Sequence, residues 1–255
     1  YSKGSLYKVF NGNLLFHGCI PMTEEGELMR FSIGCENLSG RAFLDYADLV
    51  ARRAYYNKPG SPERQFGMDF LWFLWAGRNS PIFGRDRMTT FERYFVAAPE
   101  THVEQKNPYY AYVNEERVID RILAEFGLDP ENSHIVNGHM PVKVAKGETP
   151  IKCNGKLFII DGGFSKAYQK VTGIAGYTLV YHSHGMQLVQ HEPFQSRQKA
   201  IEEGQDIKST TLVVEFNSQR MMVKDTDKGS ELVTQIQDLM KLLVAYRTGL
   251  IKEKQ

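Results

Sequence analysis

Cysteine is scarce in this chain. Cys19, Cys35 and Cys153 are odd in number, far apart and never in a CxxC pair. That spacing excludes a disulfide framework or a zinc ribbon and points to reduced thiols in a cytoplasmic setting. An excess of charge of one sign is also lacking. With 31 basic and 30 acidic residues the net charge is +1, so no overall field favours nucleic acid or an anionic membrane. Phosphate binding would have to rest on local basic residues. Long apolar runs are missing too. The longest, Phe70–Ala76 (FLWFLWA), is far short of a membrane span and reads as core helix or strand. No internal repeat, low-complexity tract or signal-peptide pattern stands out. There is no initial methionine, and a strand-like run follows Tyr1 almost at once. A segment of a longer protein is expected.

What remains is an ordinary globular composition, 42% hydrophobic and 24% charged over 255 residues, enough to bury a substantial core. Period-2 and short apolar runs mark strands at Leu14–Phe16, Ile135–Val136 and Leu157–Ile160, each opening into small, polar or glycine residues. Helical spacing marks Arg41–Tyr56 and Glu115–Phe126, the second stopped by Gly127 and Pro130. Later, Thr178–Tyr181 and Met186–Gln190 predict a hairpin, and Thr210–Phe216 with Arg220–Val223 a further antiparallel pair. Leu232, Ile236, Leu239, Leu243 and Val244 predict a C-terminal amphipathic helix that docks on its own core or on a partner, the first being the plainer expectation. Residues 1–229 are expected to form one body and 230–255 that helix.

Three loops carry candidate chemistry. Leu14–Phe16 delivers His17-Gly18, and Ile135–Val136 delivers Asn137-Gly138-His139, where Gly138 is expected to make the tight turn and leave His139 exposed. Leu157–Ile160 ends in Asp161-Gly162-Gly163, whose glycines allow close backbone approach to a ligand. Strand-end loops are rigid mounts for metal-ligating imidazole. Neutral imidazoles suit manganese, iron or zinc better than magnesium or calcium. Arg78, Arg85 and Arg87 fall within ten residues in a loop shaped by Gly77, Pro81 and Gly84, a composition suited to bidentate phosphate recognition. Lys143, Lys146 and Lys152 lie between the second and third strands, where they could face an anion. The same features read also as a solvated arginine loop and structural histidines. A two-metal centre further needs bridging and terminal carboxylates, and the patterns DxH, GDxxDRG and GNH[DE] do not occur.

LLFHGCIPM, NGHMPVK and FIIDGGF resemble the later motifs of the calcineurin-like metallophosphatases. NLLFHGCIPM, DFLWFLWAGRNSPIFGRDRMTTFERYF, ETHVEQKNPYY and VNGHMPVKVAKGETPIKCNGKLFIIDGGFSKAYQKVTGIAGYTL resemble, more closely and over nearly the whole chain, bacterial class III fructose-1,6-bisphosphatase. The resemblance implies an α/β fold: the C-terminal half of a metallophosphatase-type β-sandwich flanked by helices, with antiparallel hairpins and a C-terminal helix. It implies a manganese-dependent gluconeogenic hydrolase that removes the 1-phosphate of fructose 1,6-bisphosphate. His17 and His139 would bind metal in a dinuclear Mn2+ site that the chain supplies only in part. Arg78, Arg85 and Lys143 are the substrate-binding candidates, and Asp161 would orient a metal ligand from behind it. The proton donor and first-metal carboxylates are expected upstream, so the missing upstream part is an expected partner, and a homo-oligomer is allowed. Two other readings stay open: a metallophosphatase acting on phosphoproteins or nucleotides, and a non-catalytic regulatory or assembly piece.

Overall fold

The computed structural model describes residues 1–204 and 208–252. The described chain is mixed α/β and divides into two compact units, Tyr1–Thr178 with Val189–Thr210, and Leu179–Leu188 with Thr211–Gln255.

The first unit is built on a five-stranded sheet. Its strands are β1 (Tyr7–Phe10), β2 (Asn13–Phe16), β5 (His134–Asn137), β6 (Ile151–Lys152) and β7 (Leu157–Ile159). They run in the order β1-β2-β5-β7-β6. The two outer pairs are antiparallel, while β2, β5 and β7 are parallel to one another. Register places Leu14, Ile135 and Leu157 in one row across these three strands, and all three are fully buried. Burying such a side chain contributes about 1.5–3 kcal/mol, so this row fixes which face of the sheet is packed. The next row, Leu15, Val136 and Phe158, points the other way, with Val136 and Phe158 also buried and Leu15 36% exposed.

A small hairpin, β3 (Phe31–Ile33) with β4 (Glu36–Leu38), and helices α1 (Gly40–Tyr56), α2 (Pro62–Ala76), α3 (Thr90–Phe95) and α4 (Glu116–Glu125) lie between β2 and β5. In α4, Val118, Ile119, Ile122 and Leu123 are buried, as their spacing predicts, and the helix packs against β5 and α1. α1 follows its predicted bounds and packs on α2. There Gly67 leaves so little room that a Cβ would sit 2.7 Å from the Ala54 Cβ. The apolar run ending α2 differs from its reading as core: Leu74 is buried, but Trp72 and Trp75 are 64% and 56% exposed and stack on each other. A 15-residue helix with a run apolar on every side has only one face to bury.

After β7 come α5 (Lys166–Thr172), β8 (Gly176–His182), β9 (Gly185–His191), α6 (Arg197–Glu203), β10 (Ser209–Phe216) and α7 (Asp227–Arg247). The hairpin predicted around His182–Gly185 is present. The predicted pairing of Thr210–Phe216 with Arg220–Val223 is not: β10 lies beside β9, and Val223–Asp225 is a 3-10 turn capped by Asp225. The C-terminal helix forms, with the Thr226 hydroxyl accepting from Gly229 N–H. Within its unit, however, Leu232, Ile236, Leu239, Leu243 and Val244 are all 40% or more exposed, not packed on a core.

Cysteine environments give a direct check on this packing. Cys19 is 1% exposed, and burial pushes its thiol up to about 12. Cys35 is exposed in the β3–β4 turn, whereas Cys153 is buried. Alkylation of the folded chain at neutral pH is therefore expected to modify Cys35 first and leave Cys19 intact until unfolding. Peptide mapping after brief iodoacetamide treatment reads this; rapid labelling of Cys19 would contradict the packing.

Candidate active site

The three parallel strands all point their carboxyl ends to one place, the position where open α/β sheets present ligand sites. β2 ends at Phe16 and delivers His17. β5 ends at Asn137 and delivers His139, and β7 ends at Ile159 and delivers Asp161. These three residues line one cavity of about 530 Å³ whose floor includes Leu15 and Val136 and whose wall includes Phe164.

The two histidines meet. His17 Nε2 lies 3.1 Å from His139 Nδ1, and Gly138 N–H donates to the His17 carbonyl at 3.0 Å. His139 is not the exposed tip that its neighbour Gly138 suggested. The left-handed backbone falls on His139 itself, at φ +64°, in a three-residue turn closed by Met140 N–H to the Gly138 carbonyl at 2.7 Å. Such a turn is strained for any residue but glycine, and its imidazole is held at both nitrogens. His139 Nε2 donates to the Phe83 carbonyl at 2.8 Å, because a carbonyl can only accept. That fixes the tautomer and leaves the Nδ1 lone pair facing His17. Burial lowers the His139 pKa, with the charges of His17 and Arg85 adding to the effect and the Phe83 carbonyl and Asp161 opposing it. The shift favours the neutral ring.

A clamp holds this pair in place. In the loop after α2, the buried Ser80 hydroxyl donates to the Leu74 carbonyl at 2.5 Å and accepts from Ile82 N–H. The Pro81 carbonyl then accepts from Cys19 N–H at 2.9 Å, and the Phe83 carbonyl takes His139. Behind the pair, the buried Asn137 amide donates to Tyr109 Oη at 3.0 Å and more weakly to the Gly18 carbonyl at 3.4 Å. Ser80, Phe83 and Tyr109 carry no motif that marks them in the sequence, and Asn137 is marked only by its place in the loop before His139.

The other predicted site residues are placed as follows. Asp161 Oδ1 accepts from Gly163 N–H at 2.8 Å. Gly162 does not open space for a ligand: a Cβ there would sit 2.5 Å from Gly176 Cα, so its smallness serves chain packing. Arg85 reaches Met140 Sδ at 3.7 Å with Nη2 and pairs through Nη1 with Glu104 at 2.9 Å. Burial works against the Glu104 charge, but Thr89 N–H and hydroxyl together with Arg85 hold its pKa below the usual range. Lys143 follows the His139 turn, its N–H donating to Glu148 Oε2. Arg78 is exposed, and none of Arg78, Arg85 and Lys143 lines the cavity.

Two imidazole nitrogens about 2.1 Å from one ion and about 90–110° apart lie roughly 3.0–3.4 Å from each other. The observed 3.1 Å and the carbonyl-oriented His139 fit two adjacent ligands of one metal, and in the absence of an ion they suit a hydrogen bond from His17 Nε2–H to the His139 Nδ1 lone pair. They do not complete a centre: among the described residues no three His, Cys, Asp or Glu side chains are grouped to hold an ion.

The fold and site thus define an α/β chain with a histidine pair presented at parallel strand ends. A family model described as Firmicute fructose-1,6-bisphosphatase matches residues 1–248, and the chain belongs to that family. Curated relatives named fructose-1,6-bisphosphatase class 3 are similar throughout. Those of Bacteroides thetaiotaomicron, Bacteroides fragilis and Clostridium botulinum (strain Kyoto) are 61%, 60% and 57% identical over 254 residues. Each match takes in 100% of this chain but 38% of the relative. No solved structure matches.

Proposed function

We propose that this chain contributes the histidine side of a manganese-dependent fructose 1,6-bisphosphatase site, acting in gluconeogenesis in the cytoplasm. In this reading the 1-phosphate of fructose 1,6-bisphosphate is released and fructose 6-phosphate remains. The observation that carries it is the 3.1 Å approach of His17 Nε2 to His139 Nδ1, in a chain 61% identical to a relative of that name. His17 and His139 would hold manganese, which when bound supplies Lewis-acid stabilisation of charge developing on the phosphoryl oxygens. The Phe83 carbonyl keeps the His139 lone pair on Nδ1, and Arg85, braced by Glu104, presents fixed positive charge beside it. Lys143 and Arg78 are the further candidates for phosphate or sugar contact, and Asp161 for orienting the ligand set. The remaining metal ligands and the proton donor would come from the rest of the full-length protein, completing a metallophosphatase-type sandwich.

The test is manganese-dependent phosphate release from fructose 1,6-bisphosphate by the full-length protein and by this chain alone. Release by the full-length protein and almost none by the chain is the expected result. Turnover by the chain alone would mean that the donor set is complete within it. A full-length protein silent on this substrate but active on phosphoproteins or nucleotides would move the function to another metallophosphatase.

A further inference from the structure

The cationic rim beside the histidine pair includes a residue that neither loop composition nor strand ends revealed. Segments 84–86 and 105–107 pair as a short antiparallel ribbon. Asn107 N–H donates to the Gly84 carbonyl and Asp86 N–H to the Gln105 carbonyl, both at 2.9 Å, and Arg85 and Lys106 are bridge partners. Residues directly opposite in an antiparallel pair project to the same face. Arg85 in turn touches Met140, next to His139, and Phe83, two residues before it, holds His139 through its carbonyl. The line therefore runs from the histidine pair through Arg85 to Lys106.

The mount of Lys106 is rigid. Its neighbour Asn107 is buried, with Oδ1 accepting from Met22 N–H at 3.1 Å and Tyr109 N–H at 3.0 Å. The ammonium is not satisfied in the same way. Arg85 has Glu104 as an ion-pair partner, whereas among the described residues no carboxylate stands at ion-pair distance from Lys106. Partial burial, then the charges of Lys143 and Arg85, lower its pKa, and only Glu148 opposes them. Arg85, Lys106 and Lys143 outnumber the carboxylates of Glu104 and Glu148 beside them, and such an excess of cations forms a place where an anion relieves repulsion on arrival.

We propose that Lys106 recognises the second phosphate of a sugar bisphosphate, the one that is not hydrolysed, on the rim that it forms with Arg85 and Lys143. This rests on the reading of the histidine pair as the place where the first phosphate reacts. A hexose bisphosphate carries its two phosphates at opposite ends. A row of histidines, arginine and lysine set side by side matches a ligand with one charged end at the metal and another beyond it. Lys106 thus acts on selection of the bisphosphate over a monophosphate.

The test uses the full-length enzyme with manganese, as wild type, Lys106→Met and Lys106→Arg, on fructose 1,6-bisphosphate and on fructose 1-phosphate, which lacks the distal group. For Lys106→Met the KM for the bisphosphate is expected to rise about tenfold or more with kcat within about threefold, and the bisphosphate-to-monophosphate ratio of kcat/KM to fall about tenfold. Lys106→Arg, which keeps the charge, should recover most of that ratio. An unchanged ratio in Lys106→Met, or equal losses on both substrates, overturns the proposal while leaving the site reading intact. A wild-type enzyme inactive on the bisphosphate overturns the site reading, and this proposal with it.

Discussion

His139→Ala in the full-length enzyme lowers manganese-dependent phosphate release from fructose 1,6-bisphosphate by roughly a hundredfold or more, and His17→Ala does the same. Changing only the outer partners of metal ligands costs about 10–100-fold, so losing a ligand sets that range as a floor. The two rings face each other at 3.1 Å, and one without the other cannot complete the same pair of adjacent donors. The double variant should therefore be little worse than either single, the non-additivity of residues that act as a unit. His139→Ala has a second effect, because it removes the ring hydrogen bond to the Phe83 carbonyl while the backbone stays at φ +64°, a conformation that asparagine tolerates better than alanine. His139→Asn separates the two, since asparagine tolerates that backbone. It should recover thermal stability and not activity. Manganese titrations read against phosphate release make the measurement, and near-wild-type activity at saturating manganese in either single variant would remove the histidines from the site.

Much of this geometry was legible before any coordinates, for physical reasons that differ by element. Leu14, Ile135 and Leu157 sit in short apolar runs because central parallel strands buried on both faces demand it, so β2, β5 and β7 can be placed. α1 and α4 announce themselves through 3.6-residue spacing, and His17, His139 and Asp161 through their position just after a strand. The clamp was not legible. Its working parts are the carbonyls of Pro81 and Phe83, and a backbone carbonyl has no signature in a sequence. Lys106 is likewise one lysine in a polar stretch, made significant by a bridge to Arg85 across 21 positions. Glycine tolerates such strain at no cost, so composition places it on Gly138, yet His139 bears it, held by two ring contacts that local propensity does not record. In the same way Arg220–Val223 has strand composition, but Val223–Asp225 closes into a 3-10 turn capped by Asp225, so local capping overrode propensity. The apolar stripe of α7 marks the helix but not its packing, since periodicity identifies a face and not what covers it.

Gly18→Ala tests the clamp, and its effect is expected to be large although it adds one methyl group beside the histidine and not on it. A Cβ at residue 18 would sit 2.2 Å from the Pro81 carbonyl oxygen and 2.7 Å from that of Ile82. Both obstacles are backbone atoms, so no side-chain rotation relieves the clash. The His17–Cys19 segment must withdraw from the loop after α2, and the bond from Cys19 N–H to Pro81 lengthens or breaks. Overpacking of this kind costs about 1–3 kcal/mol, and the lost hydrogen bond about 1 more. A fall of roughly 5–10 °C in melting temperature follows for a domain of this size. The functional loss should exceed what stability explains. The same loop carries the Phe83 carbonyl that orients His139, and a misplacement of about 1 Å in a catalytic constellation costs on the order of a hundredfold. Gly4→Ala is the matching control, because nothing lies within 4 Å of a Cβ there. Melting curves and phosphate release from the full-length Gly18→Ala and Gly4→Ala enzymes should differ sharply. If Gly18→Ala instead matches Gly4→Ala in both, the loop after α2 does not grip the histidine pair, and the alignment of His139 must come from its own turn.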